Sequence, residues 1–159
     1  MGVNNNRRLV LVAGKSAGGK SASLKDFTKP AEVAFFNCEN GKELPFKSKF
    51  EEFVITDPYQ IYQGFEYAES NPKIATTVTD TITYLMDMFE TMYVLPSTDS
   101  RKMWGEYAQF FKRLMFEHVA KSTKNVIMLA HISDVYNEAE QIMETKVKVK
   151  GALMNQGIN

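Results

Sequence analysis

Eight residues near the start, Gly14-Lys15-Ser16-Ala17-Gly18-Gly19-Lys20-Ser21, constrain this chain more than any other feature. They satisfy the pattern G-x-x-x-x-G-K-[ST], in which a glycine-rich turn lets backbone N–H groups converge on phosphate oxygens. A helix that starts directly after such a turn adds the favourable partial charge of its N-terminus. The apolar run Leu9-Val10-Leu11-Val12-Ala13 comes first, so the spacing predicts a fully buried strand over 8–13, the turn, and a helix over 19–27 stopped by Lys29-Pro30. In that setting Lys20 would reach the β- and γ-phosphates of a nucleoside triphosphate, and the Ser21 hydroxyl would ligate Mg²⁺.

Beyond the turn, strand and helix patterns alternate. Strands are predicted over 32–37, 50–56, 74–80 and 125–130, and a further extended arm over 141–150. Helices are predicted over 58–70, closed by Asn71-Pro72, and over 82–93 and 103–121. The last of these places Trp104, Tyr107, Phe111, Leu114, Met115 and His118 on one face, which assigns His118 to packing rather than to ligation. The order implies an α/β fold with a mostly parallel central sheet flanked by helices.

Length and composition exclude several classes. The 159 residues suit a single domain over 1–159, and 19 basic against 19 acidic side chains leave no net charge for a supercharged nucleic-acid coat. Cys38 is the only cysteine, which excludes a disulfide framework and a cysteine-based zinc site, and two histidines without spaced partners do not replace one. No apolar run reaches membrane-spanning length and no signal-peptide pattern is present, so the expected setting is soluble, cytoplasmic and away from membranes. A local basic stripe would still allow a nucleic-acid partner.

The chemistry of a bound triphosphate asks for more side chains at the carboxyl edge of the sheet. Asp80, closing the threonine-rich run 74–79, suits the magnesium shell, and it also suits a cap for the helix that follows. Thr81 comes next instead of a glutamate, so the group that orients or deprotonates water must lie elsewhere. Glu39, after Phe36-Asn37-Cys38, is one candidate; a loop glutamate beside Asn40-Gly41 is also ordinary solvent surface. His131, after Val126-Ile127-Met128-Leu129-Ala130, would contact the γ-phosphate or the water, or else be satisfied by a neighbouring carbonyl. Lys146, Lys148 and Lys150 form a basic strip that would meet nucleic-acid phosphates or a neighbouring subunit's nucleotide, or protect an edge strand.

Taken in order, the turn 14–21, the strand ending Asn37-Cys38-Glu39-Asn40-Gly41, the segment Val78-Thr79-Asp80-Thr81-Ile82-Thr83 and Leu129-Ala130-His131 resemble the RecA-like P-loop ATPases. The likeness is nearest to small phage-encoded nucleotide-binding proteins associated with single-strand annealing and recombination. It implies a RecA-like core, ATP and Mg²⁺ as ligands, and work on single-stranded DNA as a homo-oligomer beside other recombination or single-strand-binding proteins. It further implies that Lys20 and Ser21 bind triphosphate and metal, Asp80 supports the metal, Glu39 activates water and His131 senses the γ-phosphate. By the same likeness the segment with Asn155 and Gln156 would approach a DNA-facing loop. Arg101, Lys102 and the lysines of 146–150 are then possible donors of positive charge to a neighbour's site. A small P-loop kinase and a nucleotide-binding interaction module without turnover are the competing expectations.

Overall fold

A computed structural model describes residues 8–150. Five strands form a parallel sheet: β1 (Leu9–Gly14), β2 (Val33–Asn37), β3 (Glu51–Val54), β4 (Thr76–Asp80) and the first half of β5 (Asn125–Asn137), in the order β1-β5-β4-β2-β3. The register sets Gly14 beside His131 and Asn37 beside Asp80, so the ends of four strands meet at one edge.

Side chains alternate across a strand, and the two faces of this sheet are covered differently. On one face, Ala34, Phe36, Val126 and Met128 pack under three helices. These are α1 (Gln60–Ser70), α2 (Ile82–Phe89), which continues as a wider π turn over Glu90–Val94, and α3 (Ser100–Arg113), which continues likewise over Leu114–Val119. The aromatic positions of α3 lie where the periodicity predicts, with Tyr107, Phe111 and Leu114 buried. On the other face, Val33, Phe35, Val78 and Leu129 meet Leu24, Phe27, Leu44, Phe46 and Phe50, which belong to a short turn and loops.

Two expectations are corrected here. The segment after the glycine-rich turn is a 3-10 helix, Ser21–Asp26, rather than an α-helix over 19–27. Serine hydroxyls compete for its backbone, as when Ser23 Oγ donates to the Lys20 carbonyl at 2.5 Å, and Phe27 is already extended before Pro30. Nor is β1 fully buried. It occupies the sheet margin, pairing only with β5 among the described residues, and Leu9, Val10 and Leu11 are 41%, 52% and 45% exposed. An apolar run reads the same at a margin as at a centre, because hydropathy alone does not give strand order.

β5 also runs further than 125–130. It passes His131 and pairs antiparallel with β6 (Ile142–Val147), from Ile132 opposite Val147 to Asn137 opposite Ile142. The result is a hairpin rising from the sheet edge, with Val135, Tyr136, Ile142 and Met143 exposed.

His118 packs as the periodicity predicts, its ring stacked on Tyr62 at 4.7 Å, and burial lowers its pKa. Cys38 is buried and its thiol pKa is pushed up by burial. Among the described residues no helix is long and apolar enough to cross a membrane.

Helix α1 and β2 approach closely because Gly64 has no side chain. A Cβ there would lie 2.7 Å from Phe36 Cε1, and the Phe36 ring is fully buried between Phe53 and Phe65. Gly64→Ala would gain about 1 kcal/mol of helix propensity but overpack the core at a cost of about 1–3 kcal/mol. The expected net result in thermal unfolding is a Tm lowered by up to about 8 °C. A raised Tm would show that Phe36 has room to move.

Candidate nucleotide-binding site

The glycine-rich turn is built by backbone geometry that only certain residues allow. Gly18 N–H donates to the Lys15 carbonyl at 3.1 Å, and a Cβ on Gly18 would sit 2.9 Å from that same oxygen. Gly19 takes φ +81°, a left-handed conformation that costs glycine nothing, while Ala17 accepts a similar φ of 58°.

Lys20 is folded back along this turn, and its Nζ donates to the carbonyls of Gly14 (3.0 Å) and Lys15 (2.7 Å). It is buried, and burial lowers its pKa against the pull of Asp80 and Glu39. Lys15 points the other way, its Nζ 2.7 Å from Asp134 on the hairpin, so the turn and the hairpin are joined by an ion pair.

Ser21 Oγ donates to Asp80 Oδ2 at 2.6 Å. The cap of α2 is supplied by Thr81, whose Oγ1 accepts from the Tyr84 N–H at 3.2 Å, so Asp80 is left to face the glycine-rich turn rather than to cap. Its other oxygen, Oδ1, is buried without a hydrogen-bond partner, and burial together with the nearby Glu39 raises its pKa despite the Ser21 hydrogen bond. A hydroxyl beside a carboxylate with a spare buried oxygen fits the oxygen chemistry of Mg²⁺, which takes one or two protein ligands and completes its shell with water and phosphate. Among the described residues no cluster of three or more His, Cys, Asp or Glu side chains offers an alternative metal cage.

Glu39 is not solvent surface. Its side chain is 11% exposed, and Oε1 lies 3.9 Å from His131 Nε2. Asn37, at the end of β2, organises the approach: its Oδ1 accepts the Glu39 N–H at 3.0 Å, and its Nδ2 donates to the Lys42 carbonyl (3.0 Å) and to Glu52 (2.8 Å). His131 is held by its backbone, donating to Thr83 Oγ1 at 2.9 Å, with Tyr84 edge-on to the ring at 5.1 Å. Burial, reinforced by the charge of Lys20, lowers the His131 pKa.

These groups line one cavity of about 310 Å³, which holds the turn from Ser16 to Ser21 together with Asn37, Glu39, Lys42, Asp80 and His131. The candidate nucleotide, metal and catalytic residues therefore converge, with Gly14 and Lys15 forming the base of the turn through the carbonyls that hold Lys20. Asn37 and Lys42 were missed from the sequence; Asn37, an amide closing an apolar run just before Asn40-Gly41, was the available signal.

The basic strip lies apart from this cavity. Lys146 pairs with Glu144, and Lys150 Nζ is 2.5 Å from Glu90, so two of the three lysines are neutralised within the chain. Lys148 is nearest the site, its N–H donating to the His131 carbonyl at 2.9 Å. Arg101 and Lys102 stand at the start of α3 and do not line the cavity. Asn155 and Gln156 lie outside the described residues.

Comparison with known proteins agrees with this geometry. No curated protein matches the chain. A family model described as an AAA domain matches residues 6–156, taking in the glycine-rich turn, the whole parallel sheet and the hairpin. The chain thus belongs to the AAA domain family, with the α/β fold and phosphate-binding turn of a P-loop nucleotide-binding protein.

Proposed function

We propose that this protein is a Mg²⁺-dependent, RecA-like ATPase that acts on single-stranded DNA as a homo-oligomer, in recombination or replication. The observation that carries the hydrolytic reading is the convergence on one cavity of Lys20, the Ser21–Asp80 pair and the nearly buried Glu39.

On nucleotide binding, Lys20 would exchange its two carbonyl acceptors for β- and γ-phosphate oxygens, a replacement of neutral by charge-assisted hydrogen bonds. Ser21 and Asp80 would hold Mg²⁺, which when bound neutralises phosphate charge. Glu39 would accept a proton from water as the water oxygen bonds to the γ-phosphorus. The bond from phosphorus to the bridging oxygen breaks, and its electron pair leaves with ADP. His131 would donate a ring N–H to the γ-phosphate, and its strand leads straight into the hairpin.

The DNA reading rests on the likeness to RecA-like ATPases and on that hairpin, which offers exposed Tyr136 as a stacking surface. A second reading, phosphoryl transfer to a bound acceptor, is favoured by one observation. A neighbouring cavity of about 480 Å³ shares Glu39 and Lys42 and is lined further by Tyr84, Met88, Thr91 and Met92.

The test is Mg²⁺-dependent release of phosphate from ATP with and without single-stranded DNA, across protein concentrations. Stimulation by DNA, with turnover per subunit rising with concentration, is expected. Turnover indifferent to both would remove the DNA and oligomer readings, and ATP binding without phosphate release would remove hydrolysis.

A further inference from the structure

The cavity holds two lysines among its described lining residues, and only Lys20 belongs to the glycine-rich turn. The second, Lys42, comes from the loop after β2. Its backbone is fixed on both sides of the residue: the N–H donates to the Glu39 carbonyl at 3.0 Å, and the carbonyl accepts from Asn37 Nδ2 at 3.0 Å. The turn that returns it to the site needs left-handed backbone at Asn40 (φ 54°) and Gly41 (φ 71°), the latter favouring glycine. The side chain is free where the backbone is not, being 73% exposed, and its Nζ sits 3.2 Å from Glu39 Oε2.

That ion pair is unequal. An ammonium mostly in water gains little from one carboxylate, so the pair contributes at most about 1 kcal/mol and the fold does not depend on it. Glu39 is at 11% exposure and faces the cavity, where the carboxylate would have to be free to take a proton. An arriving γ-phosphate carries more negative charge than Glu39 and offers several acceptor oxygens, so it competes effectively for the same ammonium. Lys42 lines both the nucleotide cavity and its neighbour, so its stem stands at the boundary between them.

We propose that Lys42 is a catalytic cation supplied within the chain: paired with Glu39 before nucleotide arrives, it transfers to the γ-phosphate on binding, stabilises charge there and frees Glu39 to act on water. This inference rests on the hydrolytic reading above and adds to it a residue that acts on the γ-phosphate without a neighbouring subunit.

The experiment compares wild type with Lys42→Ala and Lys42→Arg, measuring affinity for ADP and for a non-hydrolysable ATP analogue with Mg²⁺, and then steady-state hydrolysis. For Lys42→Ala the ADP affinity should stay within about threefold of wild type, while the analogue loses at least about tenfold, because only the analogue has a γ-phosphate. The kcat should fall by about 10²–10³-fold, the usual loss when one donor to a developing anion is removed, with Lys42→Arg recovering at least a tenth of the wild-type rate. Equal losses for ADP and the analogue would overturn the assignment, as would hydrolysis by Lys42→Ala at or above the wild-type rate. Wild type that binds both nucleotides but releases no phosphate from ATP removes the hydrolytic reading alone. The analogue-to-ADP ratio then still decides Lys42, and an unchanged ratio in Lys42→Ala overturns it.

Discussion

Glu39→Gln should bind Mg-ATP within a few-fold of wild type and hydrolyse it about 10²–10⁴-fold more slowly, the range lost with a positioned general base. Glutamine keeps the length of the side chain and its capacity to hydrogen-bond, so the surroundings set by Asn37 and Lys42 are retained. What it cannot do is take the proton of the attacking water. Calorimetric titration with the Mg-nucleotide, followed by phosphate release at saturating ATP, separates the two effects. Equal hydrolysis by wild type and variant would remove Glu39 from this role and leave the nearly buried carboxylate needing another explanation.

Lys20→Met should lose triphosphate affinity by about two orders of magnitude or more, since a hydrogen bond to a charged group contributes about 1.5–3 kcal/mol and this ammonium would make at least two. The expected effect on folding is different in sign. Lys20 is buried and its pKa is lowered by that burial, so its charge is costly until an anion arrives. A methionine of similar reach removes the charge, and the Tm of nucleotide-free protein should be unchanged or raised. Retained affinity would exclude Lys20 as the phosphate contact; a large fall in Tm would show that its hydrogen bonds to Gly14 and Lys15 hold the turn together.

The glycine-rich turn was legible in the sequence because its residue types are dictated by backbone geometry and phosphate chemistry at once. Strand ends were legible for a related reason: Asp80, Glu39 and His131 each follow an extended run, and parallel strands bring such ends to one edge. The order of strands was not legible, so β1 read as fully buried although it lies at the margin. The length of β5 was hidden because residues 132–137 neither alternate cleanly nor are apolar enough to extend the buried run. Lys42 escaped notice because a lysine in a loop has no periodicity; its position depends on the Asn37 amide and a left-handed turn, which are three-dimensional facts. The ion pairs of the 146–150 lysines were legible only in part: Glu144 lies two residues before Lys146 on one strand, whereas Glu90 meets Lys150 only through packing.

β5 is a single uninterrupted strand of 13 residues, from Asn125 to Asn137. Its first half is clamped between β1 and β4, and its second half carries the hairpin. Asn137 stands six residues beyond His131, about 20 Å along an extended chain. A rigid rod held at one end magnifies rotation at the other, so a tilt of about 5° at His131 would sweep the tip by about 2 Å. The Lys15–Asp134 ion pair grips the same rod from the glycine-rich turn, part of the way along its length. Nucleotide contacts too small to see at the cavity would therefore be read out as displacement of Tyr136 and its neighbours, with no hinge in between to absorb the motion.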